Sequence, residues 1–230
     1  MFRRLAQVAV ILGASASCTT PTIDLSDPGK VSGYLMVFWD GEDNFIYYPY
    51  YLDPLVFELP RELADRVGAK TIRPGAIYTD GGSIPRSVRG WAGLSPWGYG
   101  PAYVVHDWLF VAHHCIVNGG TERHDPRDAK EVEKVKRVDF KTSADMLAAV
   151  IQALVDQNKV PKRDAAPKAI YSAVDSGIAR SLWDSRDPKS CDPPDQKVLK
   201  EIATKLDRGA RLAVVPDRPG GPVLVYQQRF

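Results

Sequence analysis

A change of hydrophobic period divides this chain. Between Tyr34 and Tyr78 the apolar residues come in short dense runs: Tyr34–Trp39, Phe45–Tyr51 and Leu55–Leu59. From Ala102 onward they recur at helical spacing, first as Ala102, Val105, Leu109 and Ala112, later as Leu147, Val150, Ile151 and Leu154. Strands first and helices afterwards point to an α+β fold, because an α/β chain would alternate the two. The expected architecture is a small antiparallel sheet from Tyr34–Tyr78, packed against helices that begin near Pro101.

Turn chemistry fills in the detail. Asp40-Gly41-Glu42-Asp43-Asn44 separates the first two runs, so a hairpin is expected there. That turn is acidic but lacks a calcium-loop pattern, and a solvated turn is the simpler account. Pro60–Val67 predicts a short helix, and Ala69–Tyr78 an extended segment broken at Pro74-Gly75. Pro101 suits a first helical turn, and the helix it opens should run to about Cys115 and stop by Asn118-Gly119-Gly120. Asp125 or Asp128 can cap a charged helix through Val138, and Thr142 or Ser143 can open another to about Gln157. Ala169–Trp183 reads as one helix weakened by Gly177, and Pro193–Leu206 as a shorter charged one. Pro216–Pro222 reads as loop, and Val223–Tyr226 as an edge strand.

The first eighteen residues, Met1–Cys18, carry Arg3 and Arg4, an apolar run from Val8 to Leu12, and then small residues. This three-part order is that of an export leader. Ala14-Ser15-Ala16 fits a cleavage site, and Cys18 sits where a lipoprotein would carry its lipid. The resulting division is 1–18 leader, 19–30 tether, 31–183 core domain, and 184–230 a C-terminal helix and tail packed on the core. The expected location is beyond the inner membrane, periplasmic or attached to the outer membrane, with membrane association only through a lipid on Cys18. No later apolar run approaches the ~20 residues of a membrane span.

Composition narrows the partners. Apolar residues make up 44% and charged residues 25%, which excludes a disordered or polytopic membrane chain. The formal charge is +2, and Arg3 and Arg4 account for it, so the remainder is neutral and offers no broad field for nucleic acid. The chain has 3 cysteines, too few for a disulfide framework. With Cys18 acylated, Cys115 and Cys191 are left to pair in an oxidising compartment or to stay reduced as small buried hydrophobes. Oligomeric state is not legible.

Two polar clusters stand out. One is Tyr78–Arg86, where Thr79, Asp80, Gly81, Gly82, Ser83 and Arg86 combine a carboxylate, hydroxyls, a cation and close-approach glycines. The other is His106-Asp107 within the apolar helix from Ala102 to Phe110. Neighbouring helical positions diverge by ~100°, so these two side chains should serve different partners. In a catalytic arrangement His106 is a base, Asp107 ligates a cation and Asp145 holds His106 in one tautomer. In a structural one, His106 and Asp107 hydrogen-bond to the Thr79–Ser83 loop and do no chemistry. Other chemistries fit less well. His113, His114, Cys115 and His124 do not match a zinc spacing, and Pro85 spoils a serine-nucleophile elbow at Ser83. Trp91, Trp97, Tyr99 and Tyr103 are an aromatic stretch suited to packing or to a sugar or lipid site.

Thr79–Arg86, Ala102–Phe110 and Ala144-Asp145 follow in order the pattern T-D-x-x-S-I-P-R, A-x-x-x-H-D-x-L-[YF] and A-D. In this the chain resembles a bacterial and phage family known only as a domain of unknown function, over about Tyr34–Gly177. It departs at Phe110, commonly Tyr in the family, and in the insert His113–Asp139. It is more weakly similar to secreted calcium-dependent phospholipases of the bacterial and fungal type. That similarity implies His106 as the base, Asp107 as a calcium ligand, Asp145 as the orienting carboxylate, and the Thr79–Ser83 loop as the glycine-containing segment. Gly82 and Val104 stand where those enzymes have cysteines. Two functions therefore remain open: a metal-assisted hydrolase of lipid or cell-envelope esters, with calcium as the implied cofactor, or a non-enzymatic envelope or phage-derived module.

Overall fold

The computed structural model describes residues 20–40, 44–79, 99–160, 165–207 and 221–230. Its first strands are β1 (Lys30–Ser32), β2 (Tyr34–Trp39), β3 (Phe45–Tyr47) and β4 (Val56–Glu58), followed by helix α1 (Arg61–Val67), β5 (Thr71–Ile72) and β6 (Ile77–Thr79). Helices then dominate: α2 (Gly100–Asn118), α3 (Pro126–Lys134), α4 (Phe140–Asp156), α5 (Ala165–Val174), α6 (Gly177–Trp183) and α7 (Gln196–Asp207). Single 3-10 turns lie at Thr121–Arg123 and Pro188–Cys191, and β7 (Val223–Arg229) closes the chain. The α+β class and the antiparallel pairing expected from the sequence are both present.

The strands form two sheets rather than one. The larger has the order β6-β3-β2-β7 and the smaller β1-β4-β5. Every strand pair in them is antiparallel. The expected β2–β3 hairpin pairs Val37 with Tyr47, Phe38 with Ile46 and Trp39 with Phe45. The residues of its turn, 41–43, lie outside the described residues, but Asn44 Nδ2 donates to Asp40 Oδ2 at 2.9 Å across the mouth. The split into two sheets occurs at Gly33. Its φ is +88°, and a Cβ there would lie 1.9 Å from the Pro54 carbonyl oxygen, so only glycine lets the chain pass from β1 into β2.

β2 reads as a continuous apolar run because both faces of its sheet are covered. Leu35 and Val37 join the main core with Tyr47, Ile77, Trp108 and Leu147. Met36 and Phe38 point the other way, onto Ile46, Tyr48 and Ile202 of α7. Alternating side chains on one strand thus hold a helix layer on each side of the sheet. In the main layer α2 packs against α4. α2 buries residues around most of its circumference, from Gly100 to Cys115, and His106 is among them.

α3 starts at Pro126 under an Asp125 cap, one of the two expected, with Asp125 accepting from the Arg127 N–H at 2.8 Å, and it ends at Lys134 rather than Val138. Two other helices depart from the sequence expectation, each through a cap. α4 starts before Thr142, because Asp139 accepts from the Thr142 N–H at 2.7 Å. The single helix expected over Ala169–Trp183 is two: Ser176 breaks it and caps α6 by accepting from the Ala179 N–H at 3.2 Å. The segment expected as a tether is docked from Thr20 onward, with Ile23 buried in the main core.

Candidate functional site

The end of β6 and the middle of α2 meet. Thr79 Oγ1 donates to Asp107 Oδ2 at 2.7 Å, so the first residue of one motif is bonded to the second residue of the other. Asp80, Gly81, Gly82, Ser83 and Arg86 lie outside the described residues, as do Trp91 and Trp97. His106 Nδ1 lies 3.9 Å from Asp107 Oδ1, beyond hydrogen-bond range, as the divergence of neighbouring helical positions requires. The imidazole packs on Phe110 with ring centres 4.8 Å apart. His106 is buried, and its Nε2 atom has no hydrogen-bond partner among the described residues. Phe110 in turn meets Trp183 edge-on at 4.9 Å, so α6 closes this side. One turn earlier on α2, burial pushes the Tyr103 hydroxyl pKa up, and the nearby Tyr99 and Asp107 push it the same way.

Asp145 is engaged elsewhere. It is fully buried in α4. Its Oδ1 accepts from the Thr22 N–H at 3.0 Å and from the Tyr171 hydroxyl at 2.9 Å. Its Oδ2 accepts from the Thr22 hydroxyl and from Arg66 Nη1, the latter at 3.2 Å. Lys141 Nζ adds bonds to the Tyr171 hydroxyl at 2.6 Å and to Asp175 at 2.7 Å. Both oxygens of Asp145 therefore fasten the N-terminal segment, α1 and α5 to α4, and no described contact links them to His106. A calcium ion at Asp107 would need ~6–8 oxygen donors. Among the described residues Asp107 brings one carboxylate, already bonded to Thr79.

The metal-ligating side chains that do converge are Cys115, His124 and Cys191, all buried, with their donor atoms within 4.8 Å of one another. Cys115 on α2 and Cys191 in the second 3-10 turn form a disulfide, with Cα atoms 4.8 Å apart across a sequence separation of 76. That resolves the pairing the sequence left open. His124 Nε2 donates to the Cys191 carbonyl at 2.8 Å, which assigns that nitrogen the proton. Burial, the largest influence, lowers the pKa of His124.

A site the sequence did not single out lies between α3, α7 and the larger sheet. A cleft of about 200 Å³ is lined by Tyr48, Tyr51, Asp125, Arg127, Asp128 and Lys200 among others. Asp128 is buried and accepts from the Ala76 N–H at 3.0 Å and from the Tyr51 hydroxyl at 3.1 Å. Burial, the largest influence, raises its carboxyl pKa to about 6 against these bonds. The Arg127 guanidinium lies 3.4 Å above the Tyr51 ring, a cation–π contact that roofs the carboxylate. The signal was present in Asp125-Pro126-Arg127-Asp128, where only a helix cap was legible.

Among the described residues no helix is long and apolar enough to cross a membrane. Comparison with protein-family models, curated proteins and solved structures finds no match to this chain.

Proposed function

We propose that this chain is a non-enzymatic, exported module of the cell envelope or of phage origin, in which the His-Asp cluster is a buried polar network that fixes the end of β6 onto α2. The observation that carries this is the engagement of Asp145. In the arrangement that the phospholipase similarity implies, a carboxylate orients and charge-balances the imidazole. The carboxylate that the phospholipase similarity assigns to that task binds Thr22, Arg66 and Tyr171 instead. The Thr79–Asp107 bond serves the structural role directly, since it ties the base of the motif loop to the central helix. Export is supported by the leader-like residues 1–18 and by the disulfide, which persists in oxidising compartments. The ordered T-D-x-x-S-I-P-R and H-D-x-L-[YF] motifs support kinship with the bacterial and phage family named above.

A second reading, a metal-assisted hydrolase, is favoured by one observation: His106 Nε2 is buried without a described partner, as a base awaiting a substrate proton would be. One experiment separates the two. The full chain is assayed for hydrolysis of phospholipid and of peptidoglycan with and without millimolar calcium, and its Tm is followed in parallel. The structural module shows no turnover and no calcium-dependent rise in Tm, and Thr79→Val, which removes the donor to Asp107, lowers its stability by ~1–3 kcal/mol. Calcium-dependent turnover that His106→Ala and Asp107→Asn abolish, with the fold intact, would overturn the proposal.

A further inference from the structure

The disulfide region holds a donor set that the proposed function leaves unused. Three separate segments converge there: α2 through Cys115, the residue after the first 3-10 turn through His124, and the second 3-10 turn through Cys191. His124 points its Nε2 atom at both sulfurs, 3.4 Å from Cys115 Sγ and 3.7 Å from Cys191 Sγ. In a tetrahedral zinc centre, with Zn–S near 2.3 Å and Zn–N near 2.0 Å, nitrogen and sulfur ligands stand about 3.6 Å apart. The imidazole is thus already placed, relative to each sulfur, as a third zinc ligand would be. Ligation through Nε2 requires the ring proton to move to Nδ1, which is buried without a hydrogen bond among the described residues, and it exchanges the 2.8 Å bond from Nε2 to the Cys191 carbonyl for the bond to the metal.

We propose that Cys115, Cys191 and His124 form a zinc site when the cysteines are reduced, so that α2 and the second 3-10 turn are joined by a covalent bond in the oxidised chain, and these two and His124 by a metal ion in the reduced one. The redox step is a two-electron exchange. A dithiol donor reduces the S–S bond, two protons are taken up to give two thiols, and the donor leaves as its own disulfide. Zinc binding then displaces a proton from each thiol, and His124 ligates as a neutral ring through Nε2. Two thiolates and an imidazole are a donor set that selects zinc over calcium or magnesium.

The test uses the full chain with Cys18→Ser, which removes the third thiol. The protein is prepared oxidised and, separately, reduced with a phosphine that is then removed without air. Each form is titrated with Co2+ as a spectroscopic stand-in, followed by Zn2+. The expected result is a thiolate-to-cobalt charge-transfer absorption in the reduced form alone, saturating at stoichiometric metal and erased by Zn2+. His124→Ala should weaken the binding by about tenfold or more, and Cys115→Ser should abolish it. Zinc should also raise the Tm of the reduced chain, a measurement that needs no histidine variant. A reduced chain with no charge-transfer band or no zinc-dependent Tm rise would overturn the proposal. So would equal affinity in His124→Ala.

Discussion

Asp128 gives the sharpest quantitative test of the fold. Its carboxyl is moved from an ordinary 3.8 to about 6 by burial, and that displacement corresponds to ~3 kcal/mol of cost when the group ionises in the folded chain. A carboxyl whose folded pKa is raised contributes stability that is complete below the unfolded value and is lost as pH rises through the folded value. As pH rises from well below 3.8 to well above 6 the wild type should therefore lose ~3 kcal/mol through this residue, about 2 kcal/mol of it between pH ~4 and pH ~6.5. Asp128→Asn keeps an acceptor for the Ala76 N–H and a polar partner for the Tyr51 hydroxyl, but it cannot ionise. The variant should match the wild type near pH 4 and exceed it by up to ~3 kcal/mol at pH 7.5. Denaturant unfolding of both proteins at several pH values supplies the comparison. His113, His114 and His124 have lowered pKa values, each chiefly through burial, and so contribute stability that is lost as pH falls below the ordinary 6.5. They are common to both proteins and cancel in the difference. A stability difference that stays flat from pH 4 to pH 7.5, or one that turns against the asparagine variant at high pH, would refute the argument.

Reducing the Cys115–Cys191 bond in the presence of a chelator should cost ~4 kcal/mol on the loop-entropy account for a closed loop of this length, read as a lowered denaturant midpoint. Asp145→Ala should cost ~3 kcal/mol, because it strands Arg66, Thr22 and Tyr171. It should also make Lys30 an early trypsin site, seen by mass spectrometry. Gly33→Ala should destabilise by ~3 kcal/mol or more through the positive φ and the Pro54 contact, and poor folding is the expected readout.

What the sequence revealed were features whose cause is local. The dense run Tyr34–Trp39 signals a strand because consecutive side chains leave on opposite faces, and here both faces are buried. The stop at Asn118-Gly119-Gly120 is legible because the two glycines have φ values of +78° and +109°. What the sequence hid depends on partners far along the chain. Asp145 was read with His106, 39 positions earlier, on the order of the motifs. Its actual partner Thr22 is 123 residues distant, in a stretch whose composition suggests a loose tether. β1, three residues long, has no periodicity to detect and exists because it pairs with β4. The Thr79–Asp107 contact lay within the range of motif reasoning, since each end belongs to a recognisable cluster. The convergence of Cys115, His124 and Cys191 was not, because it needs two 3-10 turns that no hydrophobic period announces.

The place of β7 governs the order in which this molecule can be made. β2 needs a neighbour on each edge, and one of them is supplied by Val223–Arg229, where Tyr34 pairs with Arg229. The larger sheet is therefore incomplete until Val223–Arg229 have left the ribosome. Closing it brings together segments nearly the whole chain apart, a step whose entropy cost falls at once rather than by increments. A nascent chain has no early, self-sufficient intermediate containing the finished sheet. Deletion of the last strand should leave Met36 and Phe38 with a bare strand edge beside them, a template for pairing between chains. A chain cut short before Val223 thus lacks the strand that covers this edge of β2 and is inclined to aggregate.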